Sequence, residues 1–206
     1  GRWQDAAEHA AAHRGVGTRL LDGRQVTILS LVDRGEHDRA VAMVEDSVIV
    51  QPWEQAVASL LRVYCRRGAG GDTGRDVAAM LDHALGLVEQ AEPSTAVFRA
   101  RVGMTALDLA DGCGSARVPR LRATIIAAAS ADAYAAREAL THPVLRPAMT
   151  KAQEQALAAL VEASGLGRGV MPQGLLDNLM ASVALAENQL RGLLNRPRGP
   201  APDPGL

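Results

Sequence analysis

Aromatic side chains are nearly missing from this chain: two Trp, two Tyr and one Phe among 206 residues. RNA-binding sheets and single-strand grooves are built on such rings, so base stacking is not expected here. Lysine is scarcer still. Lys151 is the only one, and arginine carries the positive charge. A net charge of -1 argues against a dedicated nucleic-acid or anionic-membrane surface. Only two cysteines occur, Cys65 and Cys113, which is too few for a disulfide framework and points to a reducing cytoplasm. No run of about 18 apolar residues is present, so no transmembrane helix is expected. The chain opens on Gly1 with no signal peptide and no initiator Met, which we read as a fragment or a processed form.

Alanine and leucine dominate what remains, and β-branched runs are short, so helix is expected nearly everywhere. A short phrase recurs along the first half. Gly1-Arg-Trp-Gln-Asp-Ala6 is followed 34 residues later by Gly35-Glu-His-Asp-Arg-Ala40, and 39 residues after that by Gly74-Arg-Asp-Val-Ala-Ala79. A period near 34 residues is that of stacked helix–turn–helix units. Glycine, proline and apolar spacing then predict helices over 2–13, 21–34, 37–50, 53–67, 75–91, 95–111, 119–141, 151–164 and 172–194. Inward positions are Val26, Leu29 and Val32; Ala40, Val41, Val44 and Val48; Trp53, Val57, Leu60, Leu61 and Tyr64; and Val77, Leu81, Leu85 and Val88. Asp22, Ser94 or Thr95, and Thr150 are placed as N-caps, and Gly35 as a C-terminal cap.

Gly35, Ala40 and Pro52 resemble the tetratricopeptide family. In that family a small residue ends the turn between two helices, an alanine sits early in the second, and a proline closes the unit. Gly1 and Ala6 match the second half of a preceding unit. Gly74, Ala79 and Pro93 match a third unit lengthened by the loop 68–74. The resemblance covers residues 1–112 and departs from the family at most aromatic positions. It implies an all-α, right-handed solenoid of antiparallel hairpins. Beyond it we expect C-terminal helices at 113–195 packing on or capping the array, and a flexible Pro/Gly-rich tail at 196–206. Long helices after a degenerate array also look like the C-terminal sensor or effector regions of actinobacterial transcriptional regulators.

Catalytic patterns are weak. His9 and His13 stand four apart, but the phrase lacks the adjacent glutamate and third ligand of a zinc site. The loop 68–74 lacks the Gly-Lys-Ser/Thr ending of a phosphate loop, and 165–169 lacks the third glycine of the dinucleotide pattern. Neither cysteine lies in a nucleophile signature, and no carboxylate pair stands out. Arg117, Arg120 and Arg122 form the densest basic cluster and read as solvated or paired with Asp108 or Asp111. We therefore expect no cofactor and no metal, and catalysis stays open as the alternative to binding.

In stacked hairpins the first helix of each pair lines the concave side. This places Gln25, Leu29 and Asp33, then Val57, Leu61 and Tyr64, then Ala100, Met104 and Asp108 on a binding groove. The expected function is non-catalytic protein or peptide binding, as the sensing part of a transcriptional regulator, with no direct nucleic-acid or membrane contact. The competing expectation is a small all-α enzyme or accessory protein of a biosynthetic pathway, with a ligand near Met104, Cys113 and Tyr134. The last helix adds an a/d seam of Leu176, Leu179, Val183, Ala186, Leu190 and Leu193, which serves either to cap the array or to form a homodimer.

Overall fold

Gly35 adopts a left-handed backbone, φ 76°. Its N–H donates to Val32 O and the next N–H, of Glu36, to Leu31 O, which satisfies the carbonyls left open at a helix end. This turn joins the helix that ends at Asp33 to the one that starts at His37. The computed structural model describes residues 2–90, 92–110, 112–166 and 169–194. Gly1, Asp111, part of the 165–169 linker and the 196–206 tail lie outside the described residues.

Among the described residues ten α-helices follow one another: α1 (Arg2–Ala12), α2 (Asp22–Asp33), α3 (His37–Glu45), α4 (Pro52–Gly68), α5 (Gly74–Val88), α6 (Ala96–Leu109), α7 (Arg117–Ala129), α8 (Ala133–Thr141), α9 (Lys151–Ser164) and α10 (Gln173–Leu194). Two 3-10 turns, Pro93–Thr95 and Arg146–Ala148, lie between them. Among the described residues there is no strand, only an isolated parallel bridge between Arg19 and Val48. The fold is all-α.

Two compact units divide the chain, Gly1–Val161 and Glu162–Leu206. Within the first, consecutive helices pack on each other from α1 to α8. Alternate helices also touch: α2 with α4, α4 with α6, α6 with α8, and α5 with α7. One apolar cluster gathers Leu20, Ile28, Leu31, Ala40, Val44, Ala58, Leu61 and Cys65 beneath α2, α3 and α4. A larger one runs from Ala56 to Leu157 and centres on α5, α6 and α7.

Ala40 is fully buried between neighbouring helices, as its place early in α3 predicts. Ala40→Leu is expected to destabilise the protein by about 1–3 kcal/mol, because the added volume has no space to enter. A urea denaturation curve unchanged by the substitution would remove Ala40 from the helix crossing.

The buried stripe of α5 falls on Val77, Leu81, Leu85 and Val88, the predicted positions. Elsewhere local chemistry moves the expected boundaries and faces. Asp22 is the first residue of α2 rather than its cap; Leu21 holds the cap position with no side-chain bond. α2 buries Ile28 and Leu31, while Val26, Leu29 and Val32 are only half-buried. The helix expected over 37–50 stops at Glu45, because Val48 N–H donates to Thr18 O in the parallel bridge, leaving Val48 48% exposed.

The helix expected over 119–141 is two helices. Asp132 is extended (φ -149°, ψ 131°), and its carboxylate accepts from Tyr134 N and Ala135 N, a strong N-cap that starts α8 afresh. Thr150 caps α9 as expected: its hydroxyl accepts from Gln153 N at 3.2 Å, and Gln153 Oε1 accepts from Thr150 N at 2.9 Å. Thr95 precedes α6 without a side-chain cap bond.

Glu54 is fully buried at the start of α4. One carboxylate oxygen accepts from Val50 N and Gln51 N, each at 2.7 Å, and the other from Arg19 at 2.7 Å. Burial pushes the carboxyl up, but the Val50 and Gln51 N–H groups and the Arg19 guanidinium outweigh it and hold it below the usual carboxylate range. A carboxyl depressed in the folded state stabilises at pH above its unfolded value, and that stability fades as pH falls through the folded value. Melting temperature should therefore drop on acidification, and Glu54→Gln should flatten that acidic limb. An identical acid profile in wild type and Glu54→Gln would refute the assignment.

Candidate functional site

Half-buried Leu29 of α2, buried Leu60 and Leu61 of α4, and Leu109 of α6 form the floor of an open apolar depression of about 270 Å³. Tyr64, Thr105 and Asp108 complete its lining. These side chains meet because α2, α4 and α6 lie side by side, and a helix presents residues three and four apart on one face. Tyr64 is 45% exposed although its spacing predicts an inward position, so its ring borders solvent.

Asp108 faces the end of α8. His142 Nδ1 accepts from Val144 N at 3.3 Å, so the neutral ring carries its proton on Nε2. That nitrogen lies 3.3 Å from the Asp108 carboxylate without hydrogen-bond alignment. The Asp108 side chain remains 57% exposed and open to a donor.

Of the nine residues assigned to a groove from sequence, the structure gathers Leu29, Leu61, Tyr64 and Asp108 around this depression. Gln25 instead donates from Nε2 to Leu20 O at 3.1 Å and steadies the entry to α2. Asp33 ends α2 on the exposed surface. Val57 is half-buried where the two apolar clusters join. Ala100 and Met104 are buried in the larger cluster, so they face the core rather than a groove. α6 is covered on several sides by α4, α5, α7 and α8, and a single inward face is the wrong picture for it. Leu60, Thr105 and Leu109 join the site without having been assigned to it.

A second depression, about 380 Å³, is lined by Asp22, Trp53, Leu87, Gln90, Thr95, Phe98 and Arg99. Trp53 and Phe98 meet edge to face with ring centroids 6.0 Å apart. Arg99 beside them is only 4% exposed, and nothing in its sequence context marks it. Its Nε donates to Thr95 Oγ1 (3.1 Å), Nη1 to Val88 O (3.2 Å) and Nη2 to Glu92 O (2.7 Å). Arg99 thus closes the C-terminal end of α5 and the turn after it.

The remaining chemical candidates disperse. The rings of His9 and His13 lie 4.4 Å apart, and no group of three metal-binding side chains occurs among the described residues. Burial pushes the Cys65 thiol up to about 11, far from the thiolate a nucleophile needs. Met104 is buried whereas Cys113 and Tyr134 are exposed, so the three do not share one set of surroundings. Arg117 pairs with Asp82 and Arg120 with Glu89, both on the α5 side and both solvated, and neither pairs with Asp108. Asp111 lies outside the described residues. No helix is long and apolar enough to cross a membrane among the described residues. Compared with known proteins, the chain matches no family model, no curated protein sequence and no solved structure.

Proposed function

We propose that this chain is a non-catalytic helical-repeat module that binds an apolar peptide segment in the depression between α2, α4 and α6. The observation that carries this reading is the meeting of Leu29, Leu61, Tyr64 and Asp108 around one open apolar floor. Leucine and half-exposed tyrosine offer apolar surface with little ordering cost, and Asp108 supplies one acceptor at the edge. A helical or extended peptide with spaced Leu, Ile, Val or Met side chains fits that chemistry.

A tetratricopeptide-like, right-handed stacking of the hairpins is part of the same reading. The contacts between alternate helices, the left-handed turn at Gly35 and the buried Ala40 support it. Free Cys65 and Cys113 suit a cytoplasmic setting, and the near-neutral charge suits the sensing part of a transcriptional regulator rather than its DNA-binding part.

A random peptide library selected on the intact chain tests this. Tyr64→Glu places a charge on the groove, while Phe98→Glu changes an exposed residue of the other depression. Peptides held by wild type and by Phe98→Glu but lost from Tyr64→Glu are expected. Retention by Tyr64→Glu, with its helical spectrum intact, would refute the groove.

A further inference from the structure

α10 has 22 residues and none of them is buried. A 22-residue helix is about 33 Å long. Along it, Leu176, Leu179, Val183, Ala186, Leu190 and Leu193 keep the alternating three- and four-residue spacing of a coiled-coil seam. The five large side chains of that seam are between 38% and 59% exposed. Leu175, Met180 and Leu194 flank the seam and are exposed as well.

We infer that α10 pairs with α10 of a second copy of this chain. The seam and its flanks place Leu175, Leu176, Leu179, Met180, Val183, Leu190, Leu193 and Leu194 together on one side of a single helix, all exposed. Apolar side chains on a monomer surface are normally scattered singly, and a contiguous run of them marks an interaction face. The seam is also built to meet itself. Its order of side chains, two leucines, then Val183 and Ala186, then two leucines, reads nearly the same from either end, so a two-fold partner presents matched layers. The small central pair lets the helices approach closely.

Charge does not oppose this pairing. The helix carries only Asp177, Glu187 and Arg191, and Arg191 is paired with Glu187 of its own copy at 2.6 Å. Leu185, 61% exposed, falls off the seam and supplies an internal control. The pairing is independent of the groove between α2, α4 and α6, and either reading can fail without the other.

Sedimentation equilibrium of the intact chain at micromolar concentrations tests the inference. Wild type should sediment at twice the 21.6 kDa chain mass. The double substitution Leu179→Glu, Leu190→Glu should halve that mass, and Leu185→Glu should leave it unchanged. Circular dichroism of the same samples reports whether the helices of the Gly1–Val161 unit remain folded. A monomeric wild type overturns the inference, and so does a double variant that still sediments as a dimer. Dissociation by Leu185→Glu as complete as by the seam substitutions overturns it too, because the contact would then not run along the seam.

Discussion

Gly103→Leu is expected to destabilise the protein by about 3 kcal/mol or more, the upper end of what overpacking a tight core costs. Gly103 sits in the middle of α6, a position where glycine ordinarily weakens a helix. A Cβ built there would lie 2.8 Å from both Cγ1 and Cδ1 of Ile125 and 3.0 Å from Cγ2 of Val88. Ile125 is wholly buried and Val88 nearly so, so any shift that admits a side chain must be absorbed within the core. The missing side chain is what lets α6 approach α7 and α5.

Gly103→Ala should cost less than leucine does, since alanine recovers about 1 kcal/mol of helix propensity while still overpacking the crossing. Gly86 supplies the opposite case. It is exposed within α5, and a Cβ there meets nothing within 4 Å. Gly86→Ala should therefore stabilise by about 0.5–1 kcal/mol. Urea denaturation of the three variants measures the set. Equal effects of alanine at 86 and 103 would show that the α6 crossing is not tight. Adding Ile125→Val to Gly103→Ala should return part of the loss, because it removes the Cδ1 methyl that the new Cβ meets.

The contrast between α5 and α6 explains how much of the fold is legible in the sequence. α5 is touched by α4, α6 and α7 but keeps one exposed stripe at Arg75, Asp82 and Gly86, so its apolar residues recur at helical spacing, and that spacing assigns Val77, Leu81, Leu85 and Val88 inward. α6 is enclosed by neighbours and buries Arg99, Ala100, Val102, Gly103, Met104, Ala106 and Leu107. Its exposed side is the narrow stripe Phe98, Arg101, Thr105 and Asp108, and hairpin alternation puts Ala100 and Met104 on a groove while they lie in the core, away from that stripe. α2 departs more mildly for the same reason, since α1, α3 and α4 all touch it. Alanine hides the break between α7 and α8: Ala127-Ala-Ala-Ser-Ala-Asp-Ala133 keeps a helical composition through the turn. Asp132 is the available signal, a good N-cap residue ahead of an apolar run. Hairpin alternation also predicts that α2, α4 and α6 are neighbours, and these helices do touch in that order, which brings Leu29, Leu61, Tyr64 and Asp108 together.

Arg99→Met should be a damaging change, with an expected loss of about 3 kcal/mol. Hydrogen bonds to a charged group contribute about 1.5–3 kcal/mol each, and three are removed together. The sum is reduced because Glu92 is exposed, so water can replace the guanidinium at its carbonyl. The Val88 carbonyl gains less from water: its bond to Arg99 is buried beside the larger apolar cluster, so the substitution removes a buried partner. A cation at this point also opposes the negative end of the α5 dipole. Arg99→Lys should fall between wild type and methionine, because one ammonium lacks the planar fork that reaches three oxygens at once. Salt separates this role from that of the surface pairs. Arg117–Asp82 and Arg120–Glu89 are solvated, and their contribution should fade in molar salt, whereas the loss at Arg99 should persist because its guanidinium is buried. Thermal melts of Arg99→Met in low and high salt decide the matter. A loss that vanishes in high salt would mean that Arg99 acts as one more surface charge, and an unchanged melting temperature would mean that the end of α5 is closed by other groups.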